Sequence, residues 1–271
     1  MTQDSQRPLL DVAGVRRDLV GPGRPLRSVD VVDSTGSTNA DLLARHAAGV
    51  DIDGMVLIAE HQSAGRGRNG RSWSTPPRSQ IALSVGLGVA GLPPTGWGWL
   101  PLLTGVAVVD AVTAVTGIEA GLKWPNDILV GEQKLGGILA EVAAPDPVIV
   151  VGLGLNVTLR ADEAPDARAT SLLMLGSTMT DRSALLGAVL AELTARIDRW
   201  RAFGGIDTAL EQDYRRHSVT LGTRVRAELP GGREITGVAT DLDQLGQLQI
   251  TADATTVSVA AGDITHLRPA E

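Results

Sequence analysis

Cysteine is absent from the 271 residues. That excludes a disulfide framework and any zinc site built on thiolates. The four histidines, His46, His61, His217 and His266, are scattered without metal-ligand spacing, so a structural metal is not expected. The start, Met1-Thr2-Gln3-Asp4, lacks a basic region followed by an apolar core. It does not read as a secretory signal, and the expected compartment is the cytoplasm. Positive charge is also short: 24 Lys and Arg stand against 31 Asp and Glu, a net −7. An acidic balance argues against a general nucleic-acid binder, which needs a basic footprint. Residues 79 to 109 carry no charge, but Pro93, Pro94, Pro101 and six glycines interrupt them. No 20-residue helix crosses that stretch, so no membrane association is expected.

Two residue types are rare enough to be informative. Only two of the basic residues are lysine, Lys123 and Lys134, and the only asparagines are Asn39, Asn69, Asn126 and Asn156. Lysine is ordinarily common, so the survivors of a composition that avoids it mark places to look.

Hydrophobic residues make up 43 % and charged residues 20 %, enough at this length for one large domain with a small one. Residues 1–27 read as an arm, with a short helix near Leu9 to Leu19 and a loop through Gly21-Pro22-Gly23-Arg24-Pro25. The main domain is expected over 28–217. Strands are expected at Ser28 to Asp33, Met55 to Glu60, Gln80 to Leu87 and Val148 to Val157, with a hairpin from Ile128 to Val142. Helices are expected at Gly36 to Ala48, capped by Ser37 or Thr38, and at Pro101 to Thr116, with proline in the first turn. Two more follow, from the cap Asp181 to Trp200 and from Ile206 to His217. Over 218–271 short alternating runs separated by Pro230-Gly231-Gly232, Gly246 and Gly262 suggest a small β-barrel. The class is α+β, with neighbouring strands joined by hairpins rather than by regular βαβ crossovers.

Three segments carry chemistry. In Gln62-Ser63-Ala64-Gly65-Arg66-Gly67-Arg68-Asn69-Gly70-Arg71-Ser72-Trp73, arginines recur among glycines. No acidic residue occurs from His61 to Val109, so the segment reads as a cationic loop whose forked donors suit phosphate oxygens. The match of residues 65–70 to G-x-G-x-x-G fails on context, because no helix follows. In Lys123-Trp124-Pro125-Asn126-Asp127, with Lys134-Leu135-Gly136-Gly137-Ile138 beyond a hairpin, two ammonium groups stand beside a carboxylate and an amide. Trp124 is expected to be extended before Pro125. Such a set could hold phosphates and Mg²⁺, and the paired glycines suggest close approach by a ligand or backbone. In Gly152-Leu153-Gly154-Leu155-Asn156, two glycines share a strand face and leave room there, while Asn156 offers an amide to a base edge. Elsewhere Asp110, alone in an apolar helix, is expected to have a structural partner, Asp51 and Asp53 to be solvated, and Trp97 and Trp99 to be core.

Taken with Ser37-Thr38-Asn39, these segments resemble, in order and spacing from about residue 28 to 160, those of biotin protein ligases. The resemblance implies a mixed, mostly antiparallel sheet with helices packed on it, like the class II aminoacyl-tRNA synthetase catalytic domain, over 28–217. It also implies a C-terminal SH3-like barrel over 218–271. The implied reaction has two halves: ATP and Mg²⁺ convert biotin to biotinyl-5′-AMP, and a lysine of the biotin carboxyl carrier domain of an acyl-CoA carboxylase then takes the biotin. Carried over by motif position, Ser37, Thr38, Asn39, Gln62, Arg66, Gly67, Arg68 and Lys134 bind biotin, and Lys134, Arg66 and Arg68 act in catalysis. Arg66, Arg71, Trp73, Lys123, Asn126 and Asn156 bind nucleotide, and Asp127 meets the metal or serves as base in the transfer. Some members carry an N-terminal winged helix and repress transcription. Only about 27 residues precede the first core strand here, so no DNA binding is expected. The alternatives are a lipoate or octanoate ligase or transferase of the same fold, a non-catalytic biotin-binding protein, and a nucleic-acid binder using the arginine loop.

Overall fold

The computed structural model describes residues 7–144, 147–229, 232–253, 255–260 and 263–266. Met1 to Asp4, the turn residues Pro230 and Gly231, and Gly262 lie outside the described residues. In chain order the main elements are α1 (Ala13–Leu19), β1 (Ser28–Val32), α2 (Thr38–Ala47), β2 (Met55–Ala59), β3 (Gly65–Arg66), β4 (Ser72–Trp73), β5 (Gln80–Gly88) and α3 (Trp99–Thr116). There follow β6 (Gly121–Lys123), β7 (Asp127–Val130), β8 (Gln133–Ala143), β9 (Val148–Asn156), α4 (Arg182–Ala202) and α5 (Thr208–His217). The chain then runs through β10 (Arg224–Leu229), β11 (Arg233–Leu242), β12 (Leu248–Ala252), β13 (Thr255–Val259) and β14 (Asp263–His266).

Seven strands form one sheet in the order β1-β2-β5-β9-β8-β7-β6. Every pair is antiparallel except β1 and β2, which run parallel because α2 crosses between them. The one parallel pair makes the sheet mixed, as expected, and ten helical residues supply the crossover that it needs. Hairpins join β6 to β7, β7 to β8 and β8 to β9, whereas β5 and β9 are neighbours across α3 and that meander. The second sheet, β13-β12-β11-β10-β14, is wholly antiparallel. Its strand β14 was not expected from the sequence, since only four residues pair.

Strand residues alternate between faces, and the large sheet uses its two faces differently. One face presents Ile81, Leu83 and Val85 of β5 with Val151, Leu153 and Leu155 of β9, and these join α3 and α4 in the main core. Twelve of the eighteen residues of α3 are buried, so its apolar length is core packing. The other face presents Gln80, Ala82 and Ser84 of β5 beside Asn156, Gly154 and Gly152 of β9. Gly137, Leu139 and Glu141 of β8 continue it, and Asp127 of β7 pairs with Gly137. Helix α2 covers one end of this second face through Leu42, which packs in a small cluster with Leu57 and Val150.

Polar contacts pin the parts together. Asp110 is partnered as expected, bonded to Arg196 of α4, with His217 Nε2 at 2.9 Å. Asp51 and Asp53 are more than solvated turn residues: Asp51 pairs with Arg27 at 2.5 Å, and Asp53 with Arg201 at 2.6 Å. Arg27 and Arg201 lie 24 and 148 residues away in the chain, beyond any local pattern. The small sheet docks through indole N–H groups, Trp99 to Gln244 O and Trp124 to Gly246 O, each 3.0 Å. At the same junction Arg215 of α5 meets Asp241 of β11 at 2.8 Å. Burial alone would raise the Asp241 carboxyl, but the Arg215 guanidinium and the Leu242 N–H hold it below the ordinary value.

Candidate active site

The second face of the sheet is the floor of the site, and its glycines are close-approach positions. A Cβ at Gly154 would lie 2.6 Å from the Trp73 indole, and one at Gly152 only 2.2 Å from Asn39 Oδ1. The space read from the two glycines is thus filled by these two side chains. Gly137 lies under the same indole and the Lys134 side chain, its Cβ position 3.6 Å and 3.4 Å from them. Gly136 instead faces backbone, 2.8 Å from Gly154 O.

At one end of the floor, the start of α2 builds a buried polar pocket. Ser37 is the N-cap, its hydroxyl accepting from Ala40 N at 3.5 Å. Thr38 donates from both N and Oγ1 to Gln62 Oε1, at 2.8 and 3.1 Å, and its hydroxyl lies 2.7 Å from Ser84 Oγ. Ser84 donates to Asn39 Oδ1 at 2.5 Å, and Asn39 Nδ2 donates to Glu141 Oε2 and Leu139 O. Of the two Ser-Thr pairs, Ser37-Thr38 faces this network, while Thr35 donates to Asp41 at 2.6 Å.

The arginine segment is less open than its sequence suggests. β3 and β4 pair as a two-residue ladder, and the turn between them includes Asn69 at φ 56°. Arg66 is not without a carboxylate: its Nη2 donates to Glu141 at 3.0 Å, a partner 75 residues away. Arg68 Nη1 donates to Asn126 Oδ1 at 3.4 Å. Arg71 closes the turn, its N–H donating to Arg68 O and its carbonyl accepting from Gly67 N at 2.7 Å.

At the other end, the hairpin brings its charges to the floor. Lys134 Nζ donates to Asp127 Oδ1 at 2.5 Å and stands 5.5 Å from the Trp73 ring centroid, within cation–π range. Trp73 Nε1 donates to Gln80 Oε1 at 2.6 Å. Lys123 pairs with Asp127 across β6 and β7. The Trp124–Pro125 bond is cis, a geometry the sequence reading did not foresee, and Asn126 Nδ2 donates to Ile138 O at 3.0 Å. Asn156 is buried, with Nδ2 bonded to Thr170 O and Oδ1 lacking a partner among the described residues. A cleft of about 380 Å³, lined by Arg68, Trp124, Asn126, Leu139, Leu245 and Gly246, joins this end to the small sheet.

Three members of this arrangement were absent from the sequence reading. Ser84 and Gln80 gave no signal, being polar residues in an otherwise apolar strand. Glu141 had one: it is the only charge between Leu135 and Ala143. Among the described residues no group of three His, Asp or Glu could hold a metal by itself. Asp127 with phosphate oxygens is the donor set that would suit a hard divalent ion.

Comparison with known proteins agrees with this geometry. The profile of the Biotin/lipoate A/B protein ligase family matches residues 32–156, and that of the Biotin protein ligase C terminal domain matches 220–267. The chain is 53 % identical over 269 residues to the biotin–[acetyl-CoA-carboxylase] ligase of Mycobacterium tuberculosis, covering 98 % of this chain and 99 % of that protein. It is 29 % identical over 248 residues to the bifunctional ligase/repressor BirA of Escherichia coli, covering 90 % and 75 % of the two. The structure of the Aquifex aeolicus biotin protein ligase in complex with biotin and ATP superposes with a TM-score of 0.74 at 26 % identity, covering 90 % of this chain and all of that one.

Proposed function

This chain belongs to the biotin protein ligase family, and from that membership we propose how its site divides the work. The enzyme is an ATP-dependent ligase that joins biotin to AMP and passes it to a lysine of a carrier protein. The observation that carries the assignment is the position of Lys134. Its ammonium stands beside the Trp73 ring and the Asp127 carboxylate, over Gly137 of the floor.

In the first half-reaction a biotin carboxylate oxygen attacks the α-phosphorus of ATP and pyrophosphate leaves. Both reactants are anions, so the barrier falls only where cations are preorganised at the developing charge. Lys134, Arg66 and Arg68 are those cations. Thr38, Asn39, Gln62 and the Ser37 hydroxyl present donors and acceptors to the ureido ring, and Gly67 lets the loop backbone approach. Trp73 stacks on the adenine, and Asn156 Oδ1, buried without a partner among the described residues, accepts from the base edge. Arg71, Lys123 and Asn126 lie toward the phosphates. Asp127 is the carboxylate that would meet a magnesium ion carried on the triphosphate, whose chemistry is charge neutralisation. The acceptor is the carrier domain of an acyl-CoA carboxylase, as the name of the mycobacterial relative suggests. Repression of DNA is not part of this reading, and neither is membrane attachment; the enzyme works in the cytoplasm.

The test is ATP–pyrophosphate exchange with biotin, octanoate or lipoate. Exchange that requires biotin supports the assignment. Exchange with the fatty acids instead moves the protein to the lipoate branch of the family. No exchange from folded protein would leave a non-catalytic binder.

A further inference from the structure

Glu141 is a carboxylate in an apolar strand, and both groups bonded to it belong to the proposed biotin machinery. Its Oε2 accepts from Asn39 Nδ2 at 2.8 Å and from Arg66 Nη2 at 3.0 Å. Asn39 is 4 % exposed, so the donor from the pocket is held rigidly, whereas the Arg66 side chain is 43 % exposed. One sp² oxygen accepts two such bonds. The buried donor thereby fixes the direction from which the exposed arginine is bonded. Behind Asn39 the chain of bonds continues through Ser84 and Thr38 to Gln62. Every hydroxyl and amide in that chain is expected to touch or adjoin the ureido ring. The second donor bond of Asn39, to Leu139 O at 3.1 Å, ties the same amide to the floor of the cleft.

We propose that Glu141 is a positioning residue that couples the biotin pocket to closure of the arginine loop, through its shared acceptance of Asn39 and Arg66. The proposal rests on the biotin assignment above. Asn39, held by Ser84, Leu139 O and Glu141 itself, keeps Oε2 aimed at Arg66, so that the guanidinium is presented over the pocket proposed for biotin. Without the carboxylate the loop loses its charged anchor, and biotin binding no longer orders it. The Glu141–Arg66 bond is charge-assisted, and the neutral amide of Gln keeps the shape and an acceptor oxygen but not the charge.

The experiment uses the full chain and its Glu141→Gln and Glu141→Asp variants. Steady-state constants for biotin and ATP are measured, together with tryptic cleavage after Arg66, Arg68 and Arg71, with and without biotin. The biotin assignment is tested first and separately, by biotin-dependent exchange in the unaltered protein. Given that exchange, Glu141→Gln is expected to raise KM for biotin about tenfold. KM for ATP should rise less than KM for biotin, while kcat at saturating biotin falls, because the released Arg66 is also one of the cations proposed for the developing charge. Biotin should protect the loop from trypsin in the unaltered protein but not in Glu141→Gln, and Glu141→Asp should restore part of the protection. Equal rises in both KM values, or unchanged biotin protection in Glu141→Gln, would overturn the proposal. Faster cleavage of the loop with KM for biotin unchanged would also overturn it, since Glu141 would then be only a counterion.

Discussion

The ammonium of Lys134 and the carboxylate of Asp127 are bonded at 2.5 Å across a β-hairpin, over a floor residue, Gly137, that pairs with Asp127 in register. Both partners are about one-third exposed or less, at 34 % and 27 %. Asp127 thus fixes the position of the ammonium, at the end of the floor proposed above for the phosphates. Removing the ammonium by Lys134→Ala should cost about 3 kcal/mol or more of transition-state stabilisation, a loss on the order of a hundredfold in biotin-dependent exchange. The fold should survive, because the side chain is one-third exposed and removing it opens no closed core. Asp127→Asn should cost less, since it leaves the cation in place. Exchange in Lys134→Ala within about threefold of the unaltered rate would remove Lys134 from the chemistry.

The two floor glycines offer a sharper test, because each lies beneath a side chain proposed for a different substrate. Gly152→Ala puts a Cβ 2.2 Å from Asn39 Oδ1, and Gly154→Ala puts one 2.6 Å from the Trp73 ring. Each contact must be relieved by displacement, at about 1–3 kcal/mol of overpacking. The expected split is that Gly152→Ala raises KM for biotin and Gly154→Ala raises KM for ATP. Trp73→Ala should mimic the second effect, because loss of a base–aromatic stack is worth about 1–3 kcal/mol. If both glycine variants raise the same KM, the division of the floor between the two substrates is wrong.

Why the sequence was so legible along one stretch and mute elsewhere follows from what each signal was made of. Lys134, Asn126 and Asn156 stand out because lysine and asparagine are rare in this chain, and glycines lie close to Lys134 and Asn156. The strands β5 and β9 are visible as apolar runs because both faces of the sheet are covered. Ser84 and Gln80 were hidden for the same reason: within a fully buried strand, a polar residue can be an internal hydrogen-bond partner as easily as a ligand contact. The Arg66–Glu141 pair leaves no trace in the sequence, because its members are 75 residues apart and meet only in the folded chain. Residues alone likewise do not say which pair of a mixed sheet is parallel, since a helix between two strands does not fix whether the second strand lies beside the first.

The buried pair of Glu60 and Arg182 ties the far side of the nucleotide end to the N-terminal arm. Both side chains are 3 % exposed and 2.7 Å apart. Arg182 also donates to Gln80 O and Pro8 O, and Leu10 N donates to Glu60. Removing one member strands the other charge in the interior, so Arg182→Ala or Glu60→Ala should each destabilise the fold by about 3–5 kcal/mol. Since Gln80 holds Trp73, Arg182→Lys is expected to cost less stability but still to weaken ATP binding. Chemical denaturation and KM for ATP measure the two effects. A loss below about 1 kcal/mol in both alanine variants would show the pair to be hydrated.

The arm is also fastened by a pair whose strength depends on pH. Arg7 is bonded to Glu163 and to the carbonyl of Thr158, just beyond β9. Burial alone would raise the Glu163 carboxyl, but the Arg7 guanidinium and the Arg160 N–H outweigh it and hold the group below the ordinary 4.5. A carboxyl depressed in the folded chain adds stability wherever the unfolded group is ionised. That contribution is full above pH 4.5 and is lost as pH falls from there through the lower folded value. Glu163→Gln should therefore melt below the unaltered protein at neutral pH, and the gap should narrow as pH falls below 4.5. Asp51 and Asp241 are depressed too, by Arg27 and Arg215, so both proteins should still lose stability in acid. A gap that stays constant as pH falls below 4.5 would mean that Glu163 stabilises by packing or neutral hydrogen bonds and not by its charge.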